Sequence, residues 1–355
     1  MGDAEADRSV RSTTSRGARA ARPTTLPTAG LVGLAIALAM LTSAEPGHAE
    51  SRVLRGALEL RGEVLGRPNE EIVIEDSLVG HGVLDAARLT NRGTLRLIGE
   101  SSDVTGVFEN AGTLEVVRGR THFRRAVTNR GSIKISDAEV HFGARYTGLG
   151  AYVSDPSDNY FTDLVIGGLG YLVGGVGDRF FVNGDFISTS TNSSNWNTAD
   201  AYLEFRTGVD ALHAFHITGA DLGPDALGYN DNFAWGTLHI APGNSLVLFD
   251  GNATPGAALY VGEITGAALL AGSAIGNISG AANVNIYYEP ALPANAYLGA
   301  AVWDFGTSGQ LIPIGWVAPV PTASVWLLAA LGLLLLAVGI AALQRSRAGA
   351  DAGLG

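Results

Sequence analysis

Cysteine is absent from the 355 residues, which removes disulfide staples, zinc–thiolate and iron–sulfur centres and thiol nucleophiles together. Lysine is nearly absent: of 23 basic residues only Lys134 is not arginine. Cations of either kind thin out along the chain. Residues 50 to 145 hold 14 acidic and 14 basic side chains, whereas 146 to 319 hold 15 acidic side chains and only Arg179 and Arg206. That half carries about −13 and lacks the Lys/Arg stripe that phosphate backbones require, so nucleic acid is not an expected partner. No capped, sustained helical period occurs between 50 and 318, which leaves little room for helix there. What is present is 48 glycines and a 46% hydrophobic fraction. This composition is too apolar for disorder and rich in the residue that turns β-structure.

Both ends carry long uncharged runs. Residues 29 to 43, AGLVGLAIALAMLTS, follow Arg8, Arg11, Arg16, Arg19 and Arg22 and precede the small residues Gly47 and Ala49. This is the layout of a secretory signal helix with cleavage after Ala49, so 1–49 is read as a signal peptide with a long charged leader. The alternative is a soluble leader, or a start codon set too far upstream. Ser324 to Leu343 is a second uncharged run, long enough at about 1.5 Å per residue to span a hydrocarbon core of about 30 Å as a transmembrane helix. Arg345 and Arg347 follow it directly, which places the C-terminus inside and the body outside, with Trp316 and Trp326 near the outer boundary.

Pro319-Val320-Pro321-Thr322-Ala323, then the apolar span, then Arg345 and Arg347 resembles the tripartite C-terminal tag of PEP-CTERM proteins in its VPLPA-type variant. Val320 stands where the name-giving motif has Glu, and eight residues, AGADAGLG, trail the basic pair. The resemblance implies an exosortase-type membrane protease as partner, in a Gram-negative cell that makes exopolysaccharide, with processing at the Pro-containing motif. A plain membrane anchor is the alternative. A GPI signal fits less well, since it normally ends in its hydrophobic tail with no basic segment after it.

The body opens with a repeat. Leu89–Leu97, Phe108–Val116 and Val127–Ile135 share the pattern apolar, x, Asn, x, Gly, Thr/Ser, apolar, x, apolar, and Asn91, Asn110 and Asn129 recur every 19 residues. Alternation puts Leu95/Leu97, Leu114/Val116 and Ile133/Ile135 on one face and Arg96, Glu115 and Lys134 on the other. The pattern predicts a rung of a parallel β-helix over 50–145. Gly is expected to take a positive φ at each corner and Asn to tolerate αL there, while the inward residues stack into one core. An antiparallel meander is the alternative. A weaker earlier copy is expected at Asn69–Ile74.

Over 146–315 the period dissolves, but alternating or apolar runs continue at 160–166, 179–186, 201–205, 237–240, 245–249 and 283–288, and the region reads as an acidic, Gly/Asn/Asp-rich β-continuation. Five of its segments, Ala151–Asp158, 161–186, Asn232–Gly236, Ala258–Gly262 and 285–305, resemble the body of a recurrent group of PEP-CTERM proteins. That resemblance implies a β-rich exported body and supplies no active site.

Candidate chemistry is sparse. His213 and His216 sit three apart in an expected strand and so face opposite ways, which speaks against a metal pair. Gly174-Gly175-Val176-Gly177-Asp178 is similar to a calcium-binding Gly-rich nonapeptide loop, but its Asp falls one residue early and the unit occurs once, so a Gly-rich turn is the better reading. Asp155, Asp158, Asp221, Asp225 and Asp231 are the loop acids that calcium would need as hard oxygen ligands; otherwise no cofactor is expected and no catalytic residue is assigned. The fold class is all-β, a parallel β-helix or β-solenoid-like body with an N-terminal signal helix and one C-terminal transmembrane helix in the segment 316–355. The expected role is non-catalytic, structural or adhesive, at the cell surface or in the extracellular matrix of a biofilm, with exopolysaccharide as a partner. A polysaccharide lyase or hydrolase on the same scaffold is the alternative; two carboxylates converging in a cleft would mark it.

Overall fold

The computed structural model describes residues 50–316 except 253, 255, 281–283 and 307–308. These residues form a β-solenoid of about eight turns, with helix confined to three short 3-10 turns, Ser193–Asn195, Ala226–Tyr229 and Pro293–Leu298. Strand pairing is parallel from rung to rung and runs in three columns. The first contains Val107–Asn110, Val127–Asn129, Tyr146–Gly148, Leu164–Gly168, Phe186–Ser190, Leu212–Ile217 and Ser245–Asp250. The second contains Thr94–Ile98, the starts of Thr113–Phe123 and Ser132–Phe142, then Ala151–Asp155 and Tyr171–Val173. The third continues through Asp158–Phe161, Arg179–Val182, Thr198–Phe205, Trp235–Ile240, Ala258–Thr265, Asn285–Tyr288 and Gln310–Pro313. Antiparallel pairing appears only late among the described strands, where Leu269–Leu270 meets Ala274–Ile275 and Trp303–Asp304 meets Gln310–Pro313.

The 19-residue period is therefore one turn of the solenoid. Leu78, Leu95, Leu114, Ile133, Tyr152 and Leu172 lie over one another in register and are all buried. In the third column Phe123, Phe142 and Phe161 stack at centroid distances of 5.2 and 4.9 Å with planes within 8°. Parallel register holds equivalent residues about 4.8 Å apart, so identical planar side chains stack naturally.

Asn91, Asn110 and Asn129 also stack, but the reason for their presence differs from the expectation. None of the three has a positive φ. They end their strands with side chains pointing into the core, where Asn91 Nδ2 donates to Asn110 Oδ1 at 2.7 Å and Asn110 Nδ2 to Asn129 Oδ1 at 2.8 Å. Each Nδ2 also donates to a backbone carbonyl at the start of the next rung's following strand, Thr113, Ser132 and Ala151 in turn. The glycines are likewise not there for a positive φ. A Cβ on Gly93, Gly112, Gly131 or Gly150 would sit 2.0–2.1 Å from the carbonyl oxygen of Asp76, Gly93, Gly112 or Gly131 respectively. Glycine is required because successive corners touch backbone to backbone.

The expected earlier copy at Asn69 is also displaced. Asn69 is exposed, and the residue beneath Asn91 is Ile74. The bulged strand Ala57–Ile74 shifts register twice against Ser77–Asn91, which the sequence offset concealed.

Beyond residue 146 the solenoid does not stop; its turns lengthen. Ile166 lies over Ser188, Phe186 over Phe215, and Phe215 over Leu248. Extra residues enter between the first and third columns and again after the third, most of all between Ala258–Thr265 and Ile278–Gly280. After Tyr171–Val173 the second column ends with the isolated bridge from Val173 to Asn197, and in later turns loops replace it between the first and third columns.

Leu114 is fully buried and Glu115 points outward, 3.1 Å from Arg96. Leu114→Ala should cost about 2–5 kcal/mol, while Glu115→Ala should stay within about 0.5 kcal/mol. Gly112→Ala adds one methyl at a half-exposed corner and should nonetheless destabilise comparably to Leu114→Ala, because its Cβ meets a backbone carbonyl that cannot move without its whole rung. Denaturant midpoints of the three variants check this, and equal losses at 114 and 115 would contradict the alternation.

Candidate functional site

Two surfaces concentrate functional groups. The first is the outer face of the third column, where Asp103, His122, His141, Tyr160 and Phe181 stand in register. Centroids are 4.5 Å apart for His122 and His141, 4.3 Å for His141 and Tyr160, and 4.6 Å for Tyr160 and Phe181, with interplanar angles of 6°, 2° and 24°. The Arg206 guanidinium lies 3.7 Å from the centre of the Phe181 ring and is held there by Glu204. The rings turn their faces to one another and only their edges to solvent, so this stripe is not an aromatic platform of the kind that stacks on sugar rings.

Alongside runs a row of charges, Arg120, Glu139, Asp158 and Arg179, paired as Arg120–Glu139 at 2.8 Å and Arg179–Asp158 at 2.5 Å. Asp137, Glu139, Asp158 and Arg179 border a shallow depression of about 370 Å³. Partial burial pushes the Glu139 carboxyl up, but hydrogen bonds from Arg120 and His141 outweigh this and hold it below its ordinary 4.5. A general acid needs the opposite shift. Next to the depression, Asp178 is buried and accepts N–H bonds from Gly175 at 2.7 Å and Ser157 at 2.9 Å. Burial raises its pKa against those bonds. Asp178 therefore locks the Gly174–Asp178 segment as a turn, the reading preferred from the sequence.

The second surface is a groove of about 640 Å³ in the lengthened turns. It opens where the first-column strands Phe186–Ser190, Leu212–Ile217 and Ser245–Asp250 give way to the loops that replace the second column. Its floor is Asp231-Asn232-Phe233. Asn232 clamps Ala220 through both its amide atoms, accepting from the backbone N–H at 2.7 Å and donating to the carbonyl at 2.9 Å. Its neighbours Asp231 and Phe233 both have positive φ, 49° and 59°, a costly backbone for a bulky residue. Burial of the Phe233 ring against Trp196, 5.1 Å away, offsets that strain.

The remaining sequence candidates are dispersed. His213 is buried between the Gly184 carbonyl and Asn244 Oδ1, and His216 faces outward against Phe249, so the two diverge as expected. Asp158 is engaged by Arg179, Asp221 accepts from the Tyr287 hydroxyl and the Asn285 amide, and Asp225 accepts from the Leu227 N–H. Among the described residues no group of three or more His, Asp or Glu side chains is placed to hold a metal ion, and no helix is long and apolar enough to cross a membrane. Gly47 and Ala49, the motif Pro319 to Ala323, Arg345 and Arg347 lie outside the described residues, as do the two apolar runs. The stacked stripe was missed from the sequence although its signal was there: His122, His141 and Tyr160 recur at the same 19-residue spacing as the asparagines. The groove had no such signal. Neither a family model, nor a curated protein, nor a solved structure matches the chain.

Burial, then the His141 imidazole and the Arg124 guanidinium, hold His122 below its ordinary pKa near 6.5; burial does the same to His216. A depressed folded-state pKa means that the neutral ring is favoured by folding. Its contribution is complete above about pH 6.5 and is lost as pH falls toward the folded value, below which the loss levels off. Loss from Glu139 begins only below 4.5, in a separate window. Thermal midpoints between pH 7 and 5 should therefore fall, and His122→Phe, which keeps the stack without titrating, should flatten that fall. A variant profile as steep as the native one would refute the assignment.

Proposed function

We propose that the chain is an exported, non-catalytic surface or extracellular-matrix protein, delivered by its N-terminal signal and sorted by an exosortase-type membrane protease at Pro319 to Ala323. The body acts structurally or adhesively among exopolysaccharide. The signal peptide with its apolar run 29–43 and cleavage after Ala49, the span 324–343 and the basic stop at Arg345 and Arg347 are the sequence elements behind the address. Cell-surface release follows processing; before it, the C-terminal helix holds the body to the membrane.

The observation that carries the non-catalytic side is the state of the carboxylates. Glycoside hydrolysis calls for a raised-pKa acid facing a second free carboxylate about 5–9.5 Å away. In the groove Asp231 is the one acid among the lining residues. In the depression Glu139 and Asp158 are each tied to an arginine and Glu139 is shifted the wrong way for an acid, while Asp178 beside it, though its pKa is raised, is buried and occupied by two backbone N–H groups. Long parallel ladders, with ion pairs along the outside of the regular turns, suit a scaffold better than a reaction centre.

Processing separates a sorting tag from a permanent anchor. In a host with an exosortase, the mature protein should end near Pro319 to Ala323, as read by mass spectrometry. Pro319 and Pro321 lack a backbone donor and disfavour helix in the residue before them, which keeps the stretch extended and open to a protease. Replacing both by Ala should leave insertion intact and slow release. A C-terminus at Gly355 in such a host would leave only the plain anchor.

A further inference from the structure

We propose that the groove between the lengthened turns is a binding site for an uncharged polysaccharide segment. This deepens the matrix-facing reading above and rests on it for the biological setting, while the binding chemistry stands on the groove itself.

Nine of its 14 lining residues carry a neutral hydroxyl or amide and none is Lys, Arg or His; Thr189 and Asn230 expose theirs to the groove, while Ser190, Thr191, Asn232 and Asn252 are already engaged within the protein. Such side chains both donate and accept, as the hydroxyls of a sugar do, and an open polar groove admits a ligand from solvent. The absence of cations decides the charge class. An acidic saccharide would have to place carboxylates beside Asp231 without a counter-charge. The only two basic residues between 146 and 319 are committed elsewhere, Arg179 to Asp158 and Arg206 to Glu204 and the Phe181 ring. Leu222, half exposed at the rim, and the Phe233 ring edge in the floor supply the apolar contact that C–H faces of pyranoses need.

The floor is also built rather than incidental. Asp231 and Phe233 hold positive φ on either side of Asn232, and the two hydrogen bonds from Asn232 to Ala220, with the Phe233–Trp196 contact, fix that conformation. Backbone strain retained at the bottom of a groove is a feature of binding sites more than of plain loops. It leaves the Asn230 and Asp231 side chains exposed along the groove.

Titration of the full-length protein in detergent with neutral gluco- and mannohexaoses and with a hexauronate, by calorimetry, tests the site. A neutral hexaose should bind, and the hexauronate should bind at least about tenfold more weakly at low salt, where repulsion is least screened. The double variant Thr189→Ala/Asn230→Ala removes two exposed hydrogen-bonding groups and should weaken the neutral ligand on the order of tenfold. Leu227→Ser, exposed on the neighbouring 3-10 turn and outside the lining, should bind as the native protein does. Circular dichroism and the thermal midpoint verify that each variant is folded; a misfolded double variant is replaced by Asn230→Asp, which should weaken the neutral ligand and further disfavour the hexauronate. Overturning results are no binding of any neutral hexaose, equal or tighter binding of the hexauronate, or neutral binding indifferent to the groove variants. Failure of export or tag processing would leave all these titrations unchanged, so the two readings fail separately.

Discussion

Everything in the regular half of this molecule depends on how closely successive corners approach one another. At the Asn-x-Gly corner the carbonyl of one rung occupies the space where the next rung's glycine would carry a Cβ. Two N–H groups converge on the Asn carbonyl below: Ala111 and Gly112 on Asn91, Arg130 and Gly131 on Asn110, Leu149 and Gly150 on Asn129. Contact at that range leaves no freedom for a rung to slip by a residue. A slip would also turn every inward side chain outward, since the strand repeat is two.

Fixed register explains the rest of the half without further assumptions. It puts leucine over leucine and phenylalanine over phenylalanine inside, and imidazole over imidazole outside. It also gives the amide ladder a direction. Every Nδ2 points toward the later rung, so the first member is left with an unmatched acceptor: Asn91 Oδ1 receives no hydrogen bond, the position beneath it being Ile74. The last, Asn129, ends on the Ala151 carbonyl because Gly148 replaces the next Asn. A buried polar column that is satisfied at every interior step specifies register more sharply than apolar packing alone.

The same regularity decides what could be read from the sequence. A 19-residue period in Asn, Gly and the alternating aliphatics was enough to place the solenoid, the inward line and the outward charges Arg96, Glu115 and Lys134. It was not enough to say why Asn and Gly were there. Positive φ and close approach call for the same residue, and only the position of the neighbouring rung distinguishes them. The Asn69 copy failed because two bulges in Ala57–Ile74 break the count. The outer stack of His122, His141 and Tyr160 obeyed the period but mixed two residue types, so it is visible only when chemistry is ignored and spacing kept.

The groove belongs to the part that periodicity cannot reach. Apart from Thr189 and Ser190 at a strand end, its residues come from loops of unequal length inserted where one strand column ends, and no rung repeats another there. Inserting residues at that corner leaves the first and third columns stacked, as Phe186, Phe215 and Leu248 remain in line. Loop closure grows only slowly more costly with length, so such insertions are tolerated thermodynamically. The solenoid thus separates two tasks along its axis. Corners that touch backbone to backbone require glycine and hold the register, and once the second column is released the same chain is free to carry threonine, serine and asparagine around a concave surface. A concave surface is to be sought where the repeat lengthens, because a rung that must match its neighbours keeps its corners fixed and varies only outward strand positions such as Arg96, Glu115 and Lys134.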